Sequence, residues 1–265
     1  AVHMACGLSK RSKLHRSVYG STRSTVSARH INRRFCGGTR RRGPPKLSLD
    51  EAVRWKAILR EFVKRVLDIA VSITAILILA PVLVAVWVAI RLDSPGPAFF
   101  CQRRVGLGEK RFNCFKFRTL RHEADENVHR DAIRRAWAKE VLSNDPNAPY
   151  KLTDDPRVTR VGRLLRRTSI DELPQLLNVL RGEMSIVGPR PAIPYELEYF
   201  REWHHRRHLV KPGITGLCQV RGRGRLCPEA MLEMDVEYAM NWTLWTDLKL
   251  IALTVPAVLR GHGAR

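Results

Sequence analysis

The first 49 residues contain no aspartate or glutamate, yet hold twelve of the 47 lysines and arginines of this 265-residue chain. Rich in Arg, Ser, Gly and Thr and without an apolar period, this stretch has nothing to bury. That excludes a packed core and predicts a disordered basic tail over 1–49. It resembles a transit peptide in composition but lacks an amphipathic stretch. It reads either as a grip on anionic membrane or as an extension without a role. The six cysteines (Cys6, Cys36, Cys101, Cys114, Cys218 and Cys227) form no C-x-x-C pair. Metal-finger spacing is excluded, and scattered thiols of this kind suit a reducing compartment. No internal repeat is visible, so a solenoid is excluded. Aromatic residues make up 7% of the chain and are not interleaved with the basic ones. That argues against a stacking platform, and nucleic acid is not expected as a partner. Acids are scarce throughout: the net charge is +22, and beyond the tail 35 basic residues face 25 acidic ones. Such a surplus favours acidic lipid headgroups or phosphorylated substrates.

Hydrophobic residues reach 45% of the chain, and one run is conspicuous. Residues 50–65 predict an amphipathic interfacial helix, with Trp55, Leu59 and Phe62 alternating with Arg54, Lys56 and Arg60. Ile69 to Ile90 is then uncharged and almost wholly apolar, long enough to cross a bilayer core. It lies too far from the start, and lacks the cleavage site, for a signal peptide. Pro81 near its middle has no N–H to donate, so a break is expected there. Both flanks are basic, with Arg60, Lys64 and Arg65 before the run and Arg91, Arg103 and Arg104 after it. A helix entering and returning to the same face satisfies both flanks, so residues 66–91 are expected to form a re-entrant membrane helix.

Residues 92–265 are expected to form one folded domain, α+β but mostly helical. Ala98 to Arg104 and Arg111 to Phe117 read as a small β-hairpin, with Lys116 and Arg118 on one side of the second strand. Residues 123–150 are polar and helical, then loop-like. Arg157 to Arg167 reads as a basic helix, and Ile193 to Arg207 as a helix with Tyr195, Tyr199, Phe200 and Trp203 on one face. Lys211 to Leu217 and Gln219 to Arg225 read as loops, Pro228 to Asn241 as a helix, and Leu244 to Leu259 as an interfacial helix headed by tryptophans.

The chain centres on Arg166 to Pro191, where Asp171 and Glu172 lie between an arginine pair and the turn Gly188-Pro189-Arg190-Pro191. Pro174 fits only the first turn of a helix, which favours Asp171 as N-cap over a Ser169-x-x-Glu172 capping box. Arg166, Arg167 and Arg190 around the acids point to phosphate. A carboxylate held among them is expected to have a lowered pKa and to attack phosphorus or hold Mg²⁺.

Six motifs in order resemble the bacterial sugar transferase family, the monotopic polyprenyl-phosphate phosphoglycosyltransferases. They are Lys64-Arg65-Val66-Leu67-Asp68, Phe115-Lys116-Phe117-Arg118-Thr119, Ser169 to Leu176, Met184 to Pro191, Lys211-Pro212-Gly213-Ile214-Thr215-Gly216-Leu217 and Met234-Asp235-Val236-Glu237-Tyr238. The resemblance covers about Phe62 to Leu259. It implies transfer of a sugar-1-phosphate from a UDP-sugar to undecaprenyl phosphate, releasing UMP, by way of a covalent aspartyl intermediate. Asp171 would be the nucleophile and Glu172 its partner, with Mg²⁺ at this dyad. Lys116, Arg166, Arg190 and Arg223 would bind donor phosphates, with Arg118 beside Lys116 in the same motif. The resemblance also implies an inner-membrane protein whose site faces the cytoplasm, feeding downstream glycosyltransferases. The family often breaks its membrane helix at Ser-Pro, where this chain has Ala80-Pro81.

Overall fold

The computed structural model describes residues 49–259 apart from 123, 126, 141, 144–148, 151–154 and 223–225. The expected basic tail lies outside the described residues except for Leu49, and Arg223 is outside them too.

Helix α1 (Leu49–Asp93) runs 45 residues without interruption. The interfacial and membrane helices expected separately are one element, and Pro81 sits inside it rather than at a break. A proline costs its helix one hydrogen bond, about 3 kcal/mol. Neighbouring turns of Leu, Ile, Ala and Val keep their own bonds and carry the helix past that loss. The segment is long and apolar enough to cross a membrane, and Leu77 and Ile78 are each 70% exposed. Both ends of the same segment dock on the globular body. Near the start, Arg65 donates to the Val179 and Leu180 carbonyls, while Asp68 accepts from Ser185 Oγ (3.0 Å) and the Ile186 amide (2.9 Å). Near the end, Leu83, Val86 and Ile90 pack with Ala98, Phe117, Leu165 and Ile170, and Asp93 accepts from the Val161 amide.

Strands β1 (Phe99–Val105) and β2 (Arg111–Phe117) form the expected hairpin, with Gln102 opposite Cys114 and Phe100 opposite Lys116. Helix α2 (Asn127–Trp137) follows, then α3 (Arg160–Thr168) and α4 (Gln175–Arg181). A parallel pair comes next, β3 (Ser185–Val187) beside β4 (Gly213–Thr215), and β4 lies within the stretch Lys211 to Leu217 expected to be a loop. Ser185 donates to the Pro212 carbonyl, Gly188 to Thr215 and Gly213 to Pro189. The backbones approach so closely that a Cβ on Gly188 would lie 2.3 Å from the Lys211 carbonyl oxygen. Three-residue strands carry too little periodicity to be recognised in isolation. Helices α5 (Leu217–Arg221), α6 (Pro228–Asn241) and α7 (Leu244–Leu259) complete the described residues.

The single helix expected over Ile193 to Arg207 is two 3-10 segments, Pro194–Tyr199 and Glu202–Leu209. The Ile193 amide donates to the Glu196 carboxylate and the Arg201 amide to His204 Nδ1, each starting a new short turn.

A polar network ties α1, α6 and α7 to β3. Lys64 donates to the Val187 carbonyl and pairs with Asp247, and the Tyr238 hydroxyl donates to Asp247 (2.6 Å) and Val187 (3.1 Å). Asp68→Ala strands two buried donors of β3 and lowers stability by about 2–4 kcal/mol. Asp68→Asn keeps an acceptor and loses less; thermal unfolding in detergent checks the order.

Candidate active site

Asp171 and Glu172 lie on a 3-10 turn, Ile170–Glu172, between α3 and α4. This corrects the helix-cap expectation, since Asp171 is inside a turn and Pro174, in helical conformation, is the residue preceding α4. Ser169 makes the turn possible. It ends α3 in the left-handed region (φ 58°, ψ 18°), which a non-glycine adopts at a cost of about 1 kcal/mol or more. The chain thereby swings the two acids toward the hairpin. Glu172 reaches Lys116 of β2, Nζ to Oε1 2.7 Å, and so is not closing a capping box.

Three further arginines surround the pair. Arg166, on the last turn of α3, donates from Nε to Thr119 Oγ1 at 3.0 Å. Helix α3 comes this close because Gly162 lies against the Thr119 backbone, where a Cβ would sit 2.2 Å from the carbonyl oxygen. Arg190 pairs with Glu196 at 3.1 Å. Its own carbonyl accepts from Arg207, which forms a buried pair with Asp235 at 2.6 Å. Arg104, read earlier only as a basic flank, is buried on the same hairpin face as Lys116. It donates to the Pro191 carbonyl (2.9 Å) and to Gln102 (2.6 Å). Strand parity from Lys116 across the hairpin is the signal that would have found it.

Arg118 stands apart from this group. Its guanidinium donates to the Pro95 carbonyl and to both Ser94 oxygens, bracing the turn after α1. Arg167 is exposed. Lys116, Arg166 and Arg190 are therefore the described cations that act on the two acids, with Arg104 added.

Electrostatics divides the two carboxylates. Burial pushes Asp171 up to about 6, against the pull of Lys116 and with the help of Glu172's charge. The lowered value expected for this aspartate is thus corrected: desolvation outweighs the cations. Burial also works to raise Glu172, but the charge and hydrogen bond of Lys116, with Arg190 and Arg104, hold it below the ordinary range. Arg190 is raised by Glu196, and burial first, then Arg190, brings Arg104 down to about 10.

Among the described residues no cluster of three metal-ligating side chains exists. The dyad nevertheless fits Mg²⁺, an ion usually held by one or two carboxylates and completed by substrate phosphates. Asp171 is buried, and burial outweighs Lys116 and Arg166 in raising its pKa, so its ionised form would gain from a further cation.

A carboxyl group whose folded pKa exceeds its unfolded one costs stability when ionised; the cost is full above the folded value, shrinks as pH falls below it and is gone only below the unfolded value. Asp171→Asn therefore raises the melting temperature at pH 8, and the gain shrinks as pH falls below about 6 and is gone by about pH 3. Melting curves of both proteins across this range check the sign.

Comparison with known proteins joins this geometry to a family. The model of the bacterial sugar transferase family matches residues 59–261. The chain is 42% identical over 209 residues to an undecaprenyl-phosphate galactose phosphotransferase of Salmonella typhimurium, covering 77% of this chain and 42% of that protein. It is 40% identical over 205 residues to the UDP-glucose:undecaprenyl-phosphate glucose-1-phosphate transferase of Escherichia coli, covering 74% and 40%. It is 38% identical over 207 residues to the exopolysaccharide production protein ExoY of Sinorhizobium fredii, covering 76% and 87%. The chain thus spans about two fifths of the first two relatives and most of the third. The matched region contains the dyad, its cations and the helix that anchors them, and the chain belongs to the bacterial sugar transferase family.

Proposed function

We propose that this protein transfers a sugar-1-phosphate from a UDP-sugar to undecaprenyl phosphate at the cytoplasmic face of the inner membrane. The observation that carries the reading is a raised-pKa aspartate, Asp171, beside a Lys116-bound glutamate and among arginines. Relatives named as undecaprenyl-phosphate hexose phosphotransferases support it.

In this reading an Asp171 carboxylate oxygen attacks the phosphorus attached to the sugar. The bond from that phosphorus to the bridging oxygen breaks, and UMP leaves with the oxygen and its electron pair. A phosphate oxygen of the lipid then attacks the same phosphorus and displaces Asp171, leaving an undecaprenyl diphosphate sugar. An aspartate of pKa about 6 is ionised at neutral pH yet more basic than an exposed one, which suits a nucleophile. Lys116, Arg166 and Arg190 offset charge on the phosphoryl oxygens. Glu172 holds Lys116 in place. Asp171 and Glu172 would also hold Mg²⁺, whose chemistry is to neutralise and orient the donor diphosphate. Downstream glycosyltransferases would consume the product in exopolysaccharide assembly.

The docking of both ends of α1 supports a monotopic arrangement. From Asp68 to Leu83 is fifteen helical rises, about 22 Å, less than the roughly 30 Å of a bilayer core. With both points held on one body, too little of the helix lies between them to span, and the segment is read as lying in one face of the membrane with both flanks on the same side.

Asp171→Asn abolishes UMP release from the UDP-sugar, a loss of roughly a thousandfold or more, and traps no phosphosugar on the protein after acid quench. In the parent, kcat/KM for the donor falls as pH drops through about 6, because protonated Asp171 cannot attack. Unchanged UMP release in the variant sinks the mechanism. Single cysteines at Leu59 and Leu92, which are 62% and 83% exposed, are labelled from the same membrane side; labelling from opposite sides means a span.

A further inference from the structure

The hairpin covers one of its outer edges and leaves the other open. Along an antiparallel pair, every second residue turns its N–H and C=O away from the partner strand. On β2 these outward groups include those of Asn113 and Phe115. Buried Asn178 covers them, donating to the Asn113 carbonyl (2.7 Å) and accepting from the Phe115 amide (3.0 Å). On β1 the outward groups belong to Phe99, Cys101, Arg103 and Val105. The Val105 amide donates to the Ala192 carbonyl at 2.9 Å. Beyond that bridge the chain turns off into the 3-10 segment Pro194–Tyr199. No hydrogen bond among the described residues reaches the outward backbone groups of Phe99, Cys101 and Arg103. An edge left in this way is a template for another strand.

Where the 3-10 segment leaves the edge, an open cleft of about 480 Å³ lies between them. Arg103, Arg111 and Arg130 rim it, with Glu198 as its acid and Tyr195 in its wall. Arg130 pairs with Glu198 at 3.4 Å on the surface, a contact of little strength. Arg103 and Arg111 are exposed and have no acidic partner among the described residues. Strand parity puts both on the hairpin face opposite Lys116 and Arg104, so they serve neither acid of the reaction centre. Guarding an edge against self-association takes one such charge; three around a cleft form a site for an anion.

Charge selects among three occupants. The chain's own first 49 residues hold no Asp or Glu, so this surface repels them. A second copy adding edge to edge brings the arginines of both copies together, and like charges across a strand pair are destabilising. An acidic chain meets neither obstacle. We infer that the free edge of β1 docks an extended acidic segment of a partner protein, which adds a strand along Phe99 to Arg103 and sets carboxylates against Arg103, Arg111 and Arg130. The edge extends about 13 Å. Side chains alternate along the added strand. Every second residue is therefore acidic and faces the arginines, and those between lie beside Phe100 and Gln102 on the other face.

The test is equilibrium binding, to the full chain in detergent, of a labelled peptide of about six residues that alternates Glu and Val. Three further probes accompany it: the same peptide with its backbone amides N-methylated, a Lys–Val peptide, and inorganic phosphate as competitor. The Glu–Val peptide binds, N-methylation weakens it by roughly tenfold or more because strand hydrogen bonds are lost, and the Lys–Val peptide does not bind. Arg103→Ala with Arg111→Ala weakens the Glu–Val peptide by a similar factor, with the melting temperature unchanged. UMP release by this double variant stays at the parent's level, since both side chains lie on the face away from the acids. Absence of Glu–Val binding up to about 1 mM overturns the inference, as does equal affinity of the N-methylated peptide, which makes the edge a bare charged patch. Undiminished binding in the double variant overturns it too, and so does displacement of the peptide by equimolar phosphate, which makes the cleft a small-anion site. A raised KM for the UDP-sugar in that variant returns these arginines to the donor and likewise overturns it.

Discussion

Three residues of backbone, Ser185 to Val187, hold this protein together. Asp68 of α1 accepts from Ser185 and Ile186, and Lys64 of the same helix donates to Val187. Tyr238 of α6 donates to Val187, and Asp247 of α7 ties Tyr238 to Lys64. On the other side β4 pairs with the strand at a distance only glycine allows at Gly188 and Gly213. Buried carboxylates and a lysine are expensive to desolvate and persist only when fully bonded. Here each has its partners, and the long apolar helix α1 is thereby fastened to the strand that leads into Arg190.

The same strand explains how a loop of Gly188-Pro189-Arg190-Pro191 becomes part of a site. Gly188 and Pro189 are pinned by backbone bonds to Thr215 and Gly213. The Pro191 and Arg190 carbonyls are gripped by Arg104 and Arg207. With both ends of the tetrapeptide held, the Arg190 side chain is directed by Glu196. Asp235 and Tyr238, two residues of one sequence motif, act at a distance: one fixes Arg207, the other fixes Val187.

Around the dyad, burial and charge compete and the two neighbours come out differently. Glu172 has direct contact with Lys116 and is held below its ordinary range, while Asp171 has cations nearby but its desolvation prevails. Adjacent acids are in this way given different proton affinities by one ion pair. The left-handed Ser169 aims them both at β2, and local conformation and electrostatics meet at that turn.

Much of this was legible in the residues. Alternation marked β1 and β2, the long uncharged run marked α1, and the cluster of acids among arginines marked phosphate chemistry, because each is a pattern of neighbours along the chain. The parallel pair β3–β4 was not legible, since its strands are three residues long and separated in sequence by residues 188–212. The broken helix expected at Pro81 is continuous, because surrounding turns outlast one lost bond. Arg118 and Arg104 exchanged expected places: one braces Ser94 and Pro95, and the other joins the dyad's field. By itself the sequence determined the hairpin, most of the helices, the long apolar segment and the placing of two adjacent acids among arginines. Only the tertiary structure decided which cations reach those acids and in which direction each pKa moves. Desolvation and ion pairing depend on distances between residues far apart in the chain, and those distances exist only after folding.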